Sequence, residues 1–175
     1  MILILETARL YLREIELHDV RGMYELDSDP LVQRYVGNRV VRSIEEARQN
    51  IEFIRTQYVE NGIGRWAVIE KKSNAFVGWA GFKLITVETN NHKDYFDLGY
   101  RLIPKYWGKG YATELANGCV DFGFRTLLVS SIFAIADEKN IASRKVLENA
   151  GFACTETFLY EGVPHLWFNI SNPVK

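Results

Sequence analysis

The feature that most constrains the fold is a glycine-containing segment at residues 102–114, Leu-Ile-Pro-Lys-Tyr-Trp-Gly-Lys-Gly-Tyr-Ala-Thr-Glu. Pro104 ends the strand before it, because proline has no N–H to give to a strand ladder. Gly108 and Gly110 let the backbone turn sharply and approach a ligand without Cβ clashes. Unpaired N–H groups at the start of the following helix, with the positive end of its dipole, favour an anion. The segment therefore predicts a phosphate-binding turn.

The spacing of these glycines excludes the two most common phosphate motifs. A P-loop has four residues between its glycines, whereas Lys109 alone separates Gly108 from Gly110. A dinucleotide fingerprint needs a third glycine at the position of Thr113. Taken alone, the turn could also be a glycine-rich connection between a strand and a helix that binds no ligand.

Apolar periodicity divides the chain into strand, helices, three strands, helix, strand, helix and two strands. The predicted strands are at 10–13, 65–70, 76–87, 95–103, 130–136, 152–160 and 165–170, and the predicted helices at 18–27, 30–36, 43–61, 112–123 and 141–150. This order favours a mixed α/β or α+β architecture around one central sheet of about six to seven strands. We expect a single domain over residues 1–175.

Composition and charge narrow the classes of partner. A formal net charge of -1 argues against nucleic acid and anionic membranes as partners. Two cysteines, Cys119 and Cys154, do not make a disulfide framework, and the three histidines are scattered singly, so no metal site is predicted. The first apolar run ends at Glu6, which is too early for a signal peptide or a membrane span. We expect a cytoplasmic protein.

Three segments resemble the GNAT superfamily of acetyl-CoA-dependent N-acetyltransferases. Residues 107–112, Trp-Gly-Lys-Gly-Tyr-Ala, resemble its Gln/Arg-x-x-Gly-x-Gly/Ala motif, and residues 104–114 resemble the branch of RimJ/RimL type. Residues 6–13 look like the opening strand of that branch, and residues 140–152 look like its Asn-x-x-Ser…Gly-Phe segment. The three motifs occur in the expected order, and the resemblance covers essentially the whole chain.

The resemblance implies a GNAT-like fold with a twisted mixed sheet and acetyl-CoA as cofactor. Its two parallel central strands, 95–103 and 130–136, are expected to splay apart around the pantetheine arm. The pyrophosphate is expected on the backbone N–H groups of residues 108–113. The residues assigned in this way to the cofactor are Tyr100, Arg101, Leu102, Gly108, Lys109, Gly110, Tyr111, Ala112, Thr113, Asn140 and Ser143.

Three positions depart from the family's pattern. Trp107 stands where Gln or Arg is usual, although Trp is ordinary in the resembling branch. Leu147 stands where many members carry a proton-donating Tyr, and Ile135 where some carry a Glu base. The base and the acid must then come from elsewhere, or positioning of the reactants supplies much of the rate.

The candidate catalytic residues are Asp97 and Glu161 as bases and Ser143 as a hydrogen-bond partner of the departing thiolate. Asp97 is expected on the strand face opposite Leu98 and Tyr100. Each assignment has a structural alternative. Asp97 could form a salt bridge with a neighbouring strand, Glu161 could be a solvated turn charge, and Ser143 could face solvent.

These motifs predict an enzyme that moves an acetyl group from acetyl-CoA to a primary amine, with a peptide or protein α-amine favoured by the resemblance. A small amine such as a polyamine, an amino acid or an antibiotic stays open as the acceptor. So do a non-catalytic acyl-CoA-binding module and an unrelated α/β domain. No nucleic acid or membrane partner is expected, and a homodimer is left open.

Overall fold

Eight strands form one sheet in the order β1-β2-β3-β4-β5-β6-β8-β7. The computed structural model describes residues 3–173. In chain order the strands β1 to β8 are Leu3–Glu6, Leu10–Glu14, Arg65–Glu70, Ala75–Ile85, Tyr95–Leu102, Ser131–Asp137, Ala153–Tyr160 and Val163–Ser171. The mixed architecture is confirmed, with one strand more than the sequence predicted. The additional strand is β1, which is four residues long and pairs with β2.

Five helices accompany the sheet over residues 3–173. Helices α1 to α5 are Val20–Asp27, Pro30–Gln33, Ile44–Asn61, Tyr111–Arg125 and Ile141–Asn149, and short 3-10 turns cover Leu17–Asp19 and Pro104–Tyr106. Helix α3 begins where the Ser43 hydroxyl accepts the N–H of Glu46 at 3.2 Å, and it ends at Gly62, whose φ is 68°. Across residues 3–173, each helix is too short or too polar to span a bilayer.

Helix α4 packs one apolar face against the centre of the sheet. Six residues share the apolar face that the sequence indicates for this helix; Leu115, Ala116, Cys119, Val120 and Gly123 are buried, and Ala112 is half-buried. A Cβ at Gly123 would lie 2.7 Å from the Ile132 side chain on β6, so the glycine permits this close approach. The helix that follows the glycine turn is therefore fixed directly over the middle of the sheet.

The two parallel strands at the centre of the sheet separate along their length. Over residues 3–173 the β5–β6 ladder has a single register pair, Asp97 with Phe133. By contrast, β5 pairs with β4 throughout, and β6 pairs with β8 throughout. The sheet is thus continuous on either side of an opening between the carboxyl ends of β5 and β6, which confirms the predicted splay.

The register between β4 and β5 determines which peptide groups face this opening. Ile103 donates its N–H to a β4 carbonyl at 2.9 Å, so Leu102 is a non-hydrogen-bonded partner of β4. The peptide groups of Leu102 and of Tyr100, two residues earlier, therefore point towards β6. Those of Arg101 point towards β4, so the predicted backbone contact of Arg101 with the cofactor does not fit this register.

Candidate active site

The glycine turn presents a run of unpaired N–H groups. Gly108 and Gly110 have φ values of 71° and 77°, a left-handed conformation that glycine adopts without strain. Gly110 is the N-cap of α4, and no side chain caps the helix there. Within the described part of the chain, the six N–H groups of residues 108–113 donate to no protein acceptor. The turn is open, and its donors are available to an anion.

A cavity of about 430 Å³ lies beside this turn, and we call it the loop cleft. It is enclosed by the turn, the end of β5 and the start of α5. The predicted cofactor residues that line it are Tyr100, Arg101, Leu102, Gly108, Gly110, Tyr111, Ala112, Thr113, Asn140 and Ser143. The remaining one, Lys109, does not line the cleft, and its carbonyl accepts a hydrogen bond from Arg9 at 2.8 Å.

Trp107, which departs from the family's usual Gln or Arg, ties the turn to the end of β5. Its indole N–H donates to the carbonyl of Leu102 at 2.7 Å. The nearby cation Lys105 forms an ion pair with Glu25 at 2.7 Å, so part of its charge is compensated. The donors that the turn offers to an anion are therefore mainly backbone N–H groups.

The start of α5 forms the wall opposite the turn. Asn140 Oδ1 accepts the N–H of Ser143 at 3.1 Å, which confirms Asn140 as the N-cap of α5. The Tyr100 hydroxyl donates to the Ser143 carbonyl at 3.1 Å and lies 3.0 Å from the Ser143 hydroxyl. Burial raises the pKa of Tyr100 well above its usual value, so this phenol keeps its proton. The contact fixes the side chain of Ser143, which is half-buried rather than fully solvated.

A second cavity, of about 590 Å³, adjoins the loop cleft. The two cavities share seven lining residues, which are Arg34, Tyr35, Val36, Tyr100, Arg101, Asn140 and Ser143. We call the second one the carboxylate cleft, because the acidic residues Asp97, Asp137 and Glu161 line it. Both predicted base candidates thus lie around one cavity, and that cavity opens into the predicted cofactor site.

Asp97 forms an ion pair with Arg65 of β3. The Arg65 guanidinium also donates to the backbone carbonyl of Asp97 at 2.6 Å, and both side chains are nearly buried, with 12% and 13% exposed. A Cβ at Gly99 would lie 2.7 Å from this guanidinium, so the glycine makes room for it. Burial raises the pKa of Asp97, and the positive charge of Arg65 opposes that rise. A salt bridge is therefore present, but its partner lies on β3, two strands away, rather than on a neighbouring strand, and the role of base stays a prediction.

Glu161 lies in the two-residue turn between β7 and β8. Glu161 and Gly162 have φ values of 49° and 80°, as tight hairpins with this twist require. The Glu161 side chain is exposed, whereas Asp97 lies deep in the same cleft. The two carboxylates therefore differ in their exposure to solvent.

Comparison with known proteins agrees with this geometry. The family model described as an acetyltransferase (GNAT) domain matches residues 9–153. The chain belongs to the GNAT family of acetyltransferases. It is accordingly an acetyl-CoA-dependent acyltransferase, and the RimJ/RimL-like branch stays a prediction from the motifs.

Three related proteins illustrate the range of this family. The uncharacterized N-acetyltransferase YoaA of Bacillus subtilis is 33% identical over 149 residues, which cover 85% of this chain and 82% of YoaA. The structure of RimL, a ribosomal L7/L12 α-N-protein acetyltransferase, in complex with coenzyme A has a TM-score of 0.83 at 17% identity, with 99% and 100% coverage. The spermidine N-acetyltransferase of Vibrio cholerae, in complex with coenzyme A and spermine, has a TM-score of 0.75 at 20% identity, with 94% and 96% coverage. At these identities the two structures show a shared fold.

Several contacts that shape this GNAT site could not be predicted from the sequence. Arg34, Tyr35 and Val36, which follow α2, line both clefts, and no motif marks them. The Arg101 side chain reaches the buried carboxylate of Asp27 on α1 at 2.7 Å, so it anchors that helix to β5. Such contacts join distant segments, and only the folded chain brings them together.

Proposed function

We propose that this GNAT enzyme acetylates the α-amine of a peptide or protein N terminus. The observation that carries the proposal is the continuity of the loop cleft and the carboxylate cleft at Tyr100 and Ser143. The N–H groups of residues 108–113 suit the diphosphate of acetyl-CoA, and the peptide groups of Tyr100 and Leu102 suit the amides of its pantetheine arm. An amine that enters through the carboxylate cleft meets the thioester where the two cavities join.

In the proposed reaction, the amine nitrogen forms a bond to the acetyl carbon and the carbon–sulfur bond breaks. The nitrogen loses one proton, and coenzyme A leaves as its thiolate or thiol. Asp97 is the proposed acceptor of that proton, directly or through water, with Glu161 as the alternative. The Ser143 hydroxyl, held by Tyr100, is the proposed hydrogen-bond donor to the leaving sulfur.

The site has few groups that can remove a proton from the acceptor amine. It therefore suits an amine that is already partly neutral at physiological pH. Asp97 is bound to Arg65, and the positions of the family's other base and acid carry Ile135 and Leu147. An α-amine has a pKa of about 7.7–8.0, whereas an alkyl amine such as that of lysine has a pKa of about 10.4. At pH 7, roughly a tenth of α-amines are therefore neutral, against fewer than about one in a thousand alkyl amines.

A small polycationic amine is the second candidate. Three carboxylates line the cleft, and they would attract a cation such as spermidine. One GNAT enzyme with the same fold is named for that acceptor. This alternative requires Asp97 or Glu161 to remove a proton from an amine of much higher pKa.

A panel of amines tests the choice. Coenzyme A release is measured with a short peptide that has a free N terminus, with the same peptide Nα-blocked and carrying one lysine, and with spermidine. We expect kcat/KM for the free N terminus to exceed the other two by at least about tenfold, a difference of about 1.4 kcal/mol. Mass spectrometry of the product locates the acetyl group, and a reaction without amine gives the hydrolysis background. A preference for spermidine would support the second candidate instead.

The single domain over residues 1–175 and the cytoplasmic location stay predictions. The homodimer left open by the sequence also stays open.

A further inference from the structure

Arg9 lies in the short turn between β1 and β2 and contacts the side of the glycine turn that faces away from the loop cleft. Its Nη1 donates to the carbonyl of Lys109 at 2.8 Å. Its Nε and its backbone N–H donate to the two oxygens of Glu114, at 2.6 and 2.8 Å. The guanidinium also lies 4.5 Å from the ring centre of Tyr111. One side chain thus contacts the turn and the first helical turn of α4.

The bond to Lys109 determines where the next N–H points. The described chain has no cis peptide bond, so the carbonyl of Lys109 and the N–H of Gly110 point in opposite directions within their shared peptide plane. Because Arg9 holds the carbonyl on its own side, the N–H of Gly110 is directed to the other side. Gly110 lines the loop cleft there.

The carboxylate of Glu114 completes this support. It accepts the hydroxyl of Thr7 at 2.6 Å in addition to the two bonds from Arg9. Partial burial would raise the pKa of Glu114, but the hydrogen bonds from Thr7 and Arg9 outweigh it and lower the pKa below its usual value. An ionised Glu114 paired with Arg9 places little net negative charge beside an incoming diphosphate.

The glycines make the turn flexible, so its binding conformation needs support from other residues. Two left-handed glycines in three residues have many alternative conformations, and ordering them on binding costs entropy. Neither Arg9 nor Glu114 lines the loop cleft, so they act behind the binding surface.

We propose that Arg9 is a positioning residue that pre-organises the diphosphate-binding turn through the Lys109 carbonyl and Glu114. It orders the turn in the ligand-free enzyme and makes no contact with the phosphates itself. This inference rests on the proposed binding of acetyl-CoA at residues 108–113.

The experiment compares ligands that have and lack the diphosphate. Dissociation constants of coenzyme A and pantetheine are measured for the wild type, Arg9→Ala and Arg9→Lys by calorimetry. We expect Arg9→Ala to weaken coenzyme A binding about tenfold, equivalent to about 1.4 kcal/mol, and to leave pantetheine binding within about twofold. Arg9→Lys keeps the charge but lacks the paired N–H donors, so most of the loss should remain. Arg125→Ala, at an exposed ion pair at the other end of α4, is the matched control and should change neither affinity.

A second measurement needs no ligand. In amide proton–nitrogen NMR spectra of the ligand-free enzyme, the Gly110 signal should broaden or shift in Arg9→Ala and not in Arg125→Ala. If Arg9→Ala binds coenzyme A as tightly as the wild type, or loses the same affinity for coenzyme A and pantetheine, the proposed role of Arg9 is overturned, but the assignment of the turn is not. If the wild type binds coenzyme A no more tightly than pantetheine, the assignment of the turn as the diphosphate site is overturned as well.

Discussion

The loop cleft and the carboxylate cleft meet at the same residues but are built in different ways. The loop cleft depends on consecutive backbone N–H groups at residues 108–113 and on the φ values of two glycines. The carboxylate cleft depends on side chains from separate elements, since Asp97 on β5 is paired with Arg65 on β3, 32 residues away. The proposed cofactor site therefore depends mainly on local conformation, whereas the proposed acid–base site depends on tertiary contacts. Substitutions at the two clefts should separate affinity from turnover.

The largest effect is expected at the loop cleft. Gly110→Glu introduces a side chain at a φ of 77° and a negative charge where the diphosphate is expected. Affinity for acetyl-CoA should fall by more than about a hundredfold, or more than about 2.7 kcal/mol, and the ligand should no longer raise the melting temperature.

Gly62→Glu is the matched control for this variant. Gly62 ends α3 with a φ of 68°, and a Cβ there meets no atom within 4 Å. It imposes similar backbone strain and the same charge away from both clefts, so its acetyl-CoA affinity should equal that of the wild type. Equal losses in the two variants would mean that strain, rather than the diphosphate site, explains the result.

Asp97→Asn should produce the reverse pattern. We expect kcat to fall about a hundredfold because the proposed base is lost, while acetyl-CoA affinity changes less than about threefold. The free energy of unfolding should change little, because burial raises the pKa of Asp97 and so favours a neutral side chain at this position in the fold. Calorimetric binding, steady-state kinetics and denaturant unfolding measure the three quantities. Asp137→Asn, in the same cleft, is the control for a general loss of negative charge.

The pH profile sharpens this test. Burial raises the pKa of Asp97, so kcat should fall on the acid side at a pH above about 3.9, the usual carboxyl value. A carboxylate with a raised pKa in the folded state favours folding at low pH, and that contribution is lost as the pH rises through the folded pKa. Asp97→Asn should lack the acid limb of kcat. If kcat of Asp97→Asn still falls at acid pH as it does in the wild type, another group is the base.

The smallest effect is expected at Glu161. Its side chain is exposed, so Glu161→Gln should reduce kcat/KM for a cationic acceptor by less than about threefold, through KM. Because exposed charges are screened, 0.5 M salt should remove most of the difference, as the Debye length there is only about 4 Å. A loss in kcat larger than that of Asp97→Asn would instead identify Glu161 as the base.

The same contrast explains what the sequence could predict. Helix α3 and strand β3 occur where the pattern placed them, because capping residues and alternation act locally. Strand β1 was missed because its four residues are too few for a periodic signal. Helix α2 ends at Gln33, short of the predicted residue 36, because the Gln33 carbonyl accepts the N–H groups of Val36 and Asn38 in a turn.

The site divides in the same manner. The glycine turn and the Asn140 cap were visible because each motif is contiguous in the chain. Alternation indicated that Asp97 lies on the face opposite Tyr100, but it could not identify Arg65 as its partner. The pairing of Arg101 with Asp27 spans 74 residues, and the sequence carries no local mark of it. Burial and register together decide such contacts, and both are properties of the whole fold.

Because β5 and β6 separate, each has an unpaired edge inside the sheet, whereas a continuous sheet has unpaired edges only at its two outermost strands. The peptide groups of Tyr100 and the N–H of Leu102 face this opening, where a molecule with its own amides can pair with them, whereas the Leu102 carbonyl already accepts the indole N–H of Trp107. Such a molecule bridges β1–β5 to β6–β8 as a surrogate strand. A substrate bound there would supply part of the hydrogen bonding that β5 and β6 do not give each other.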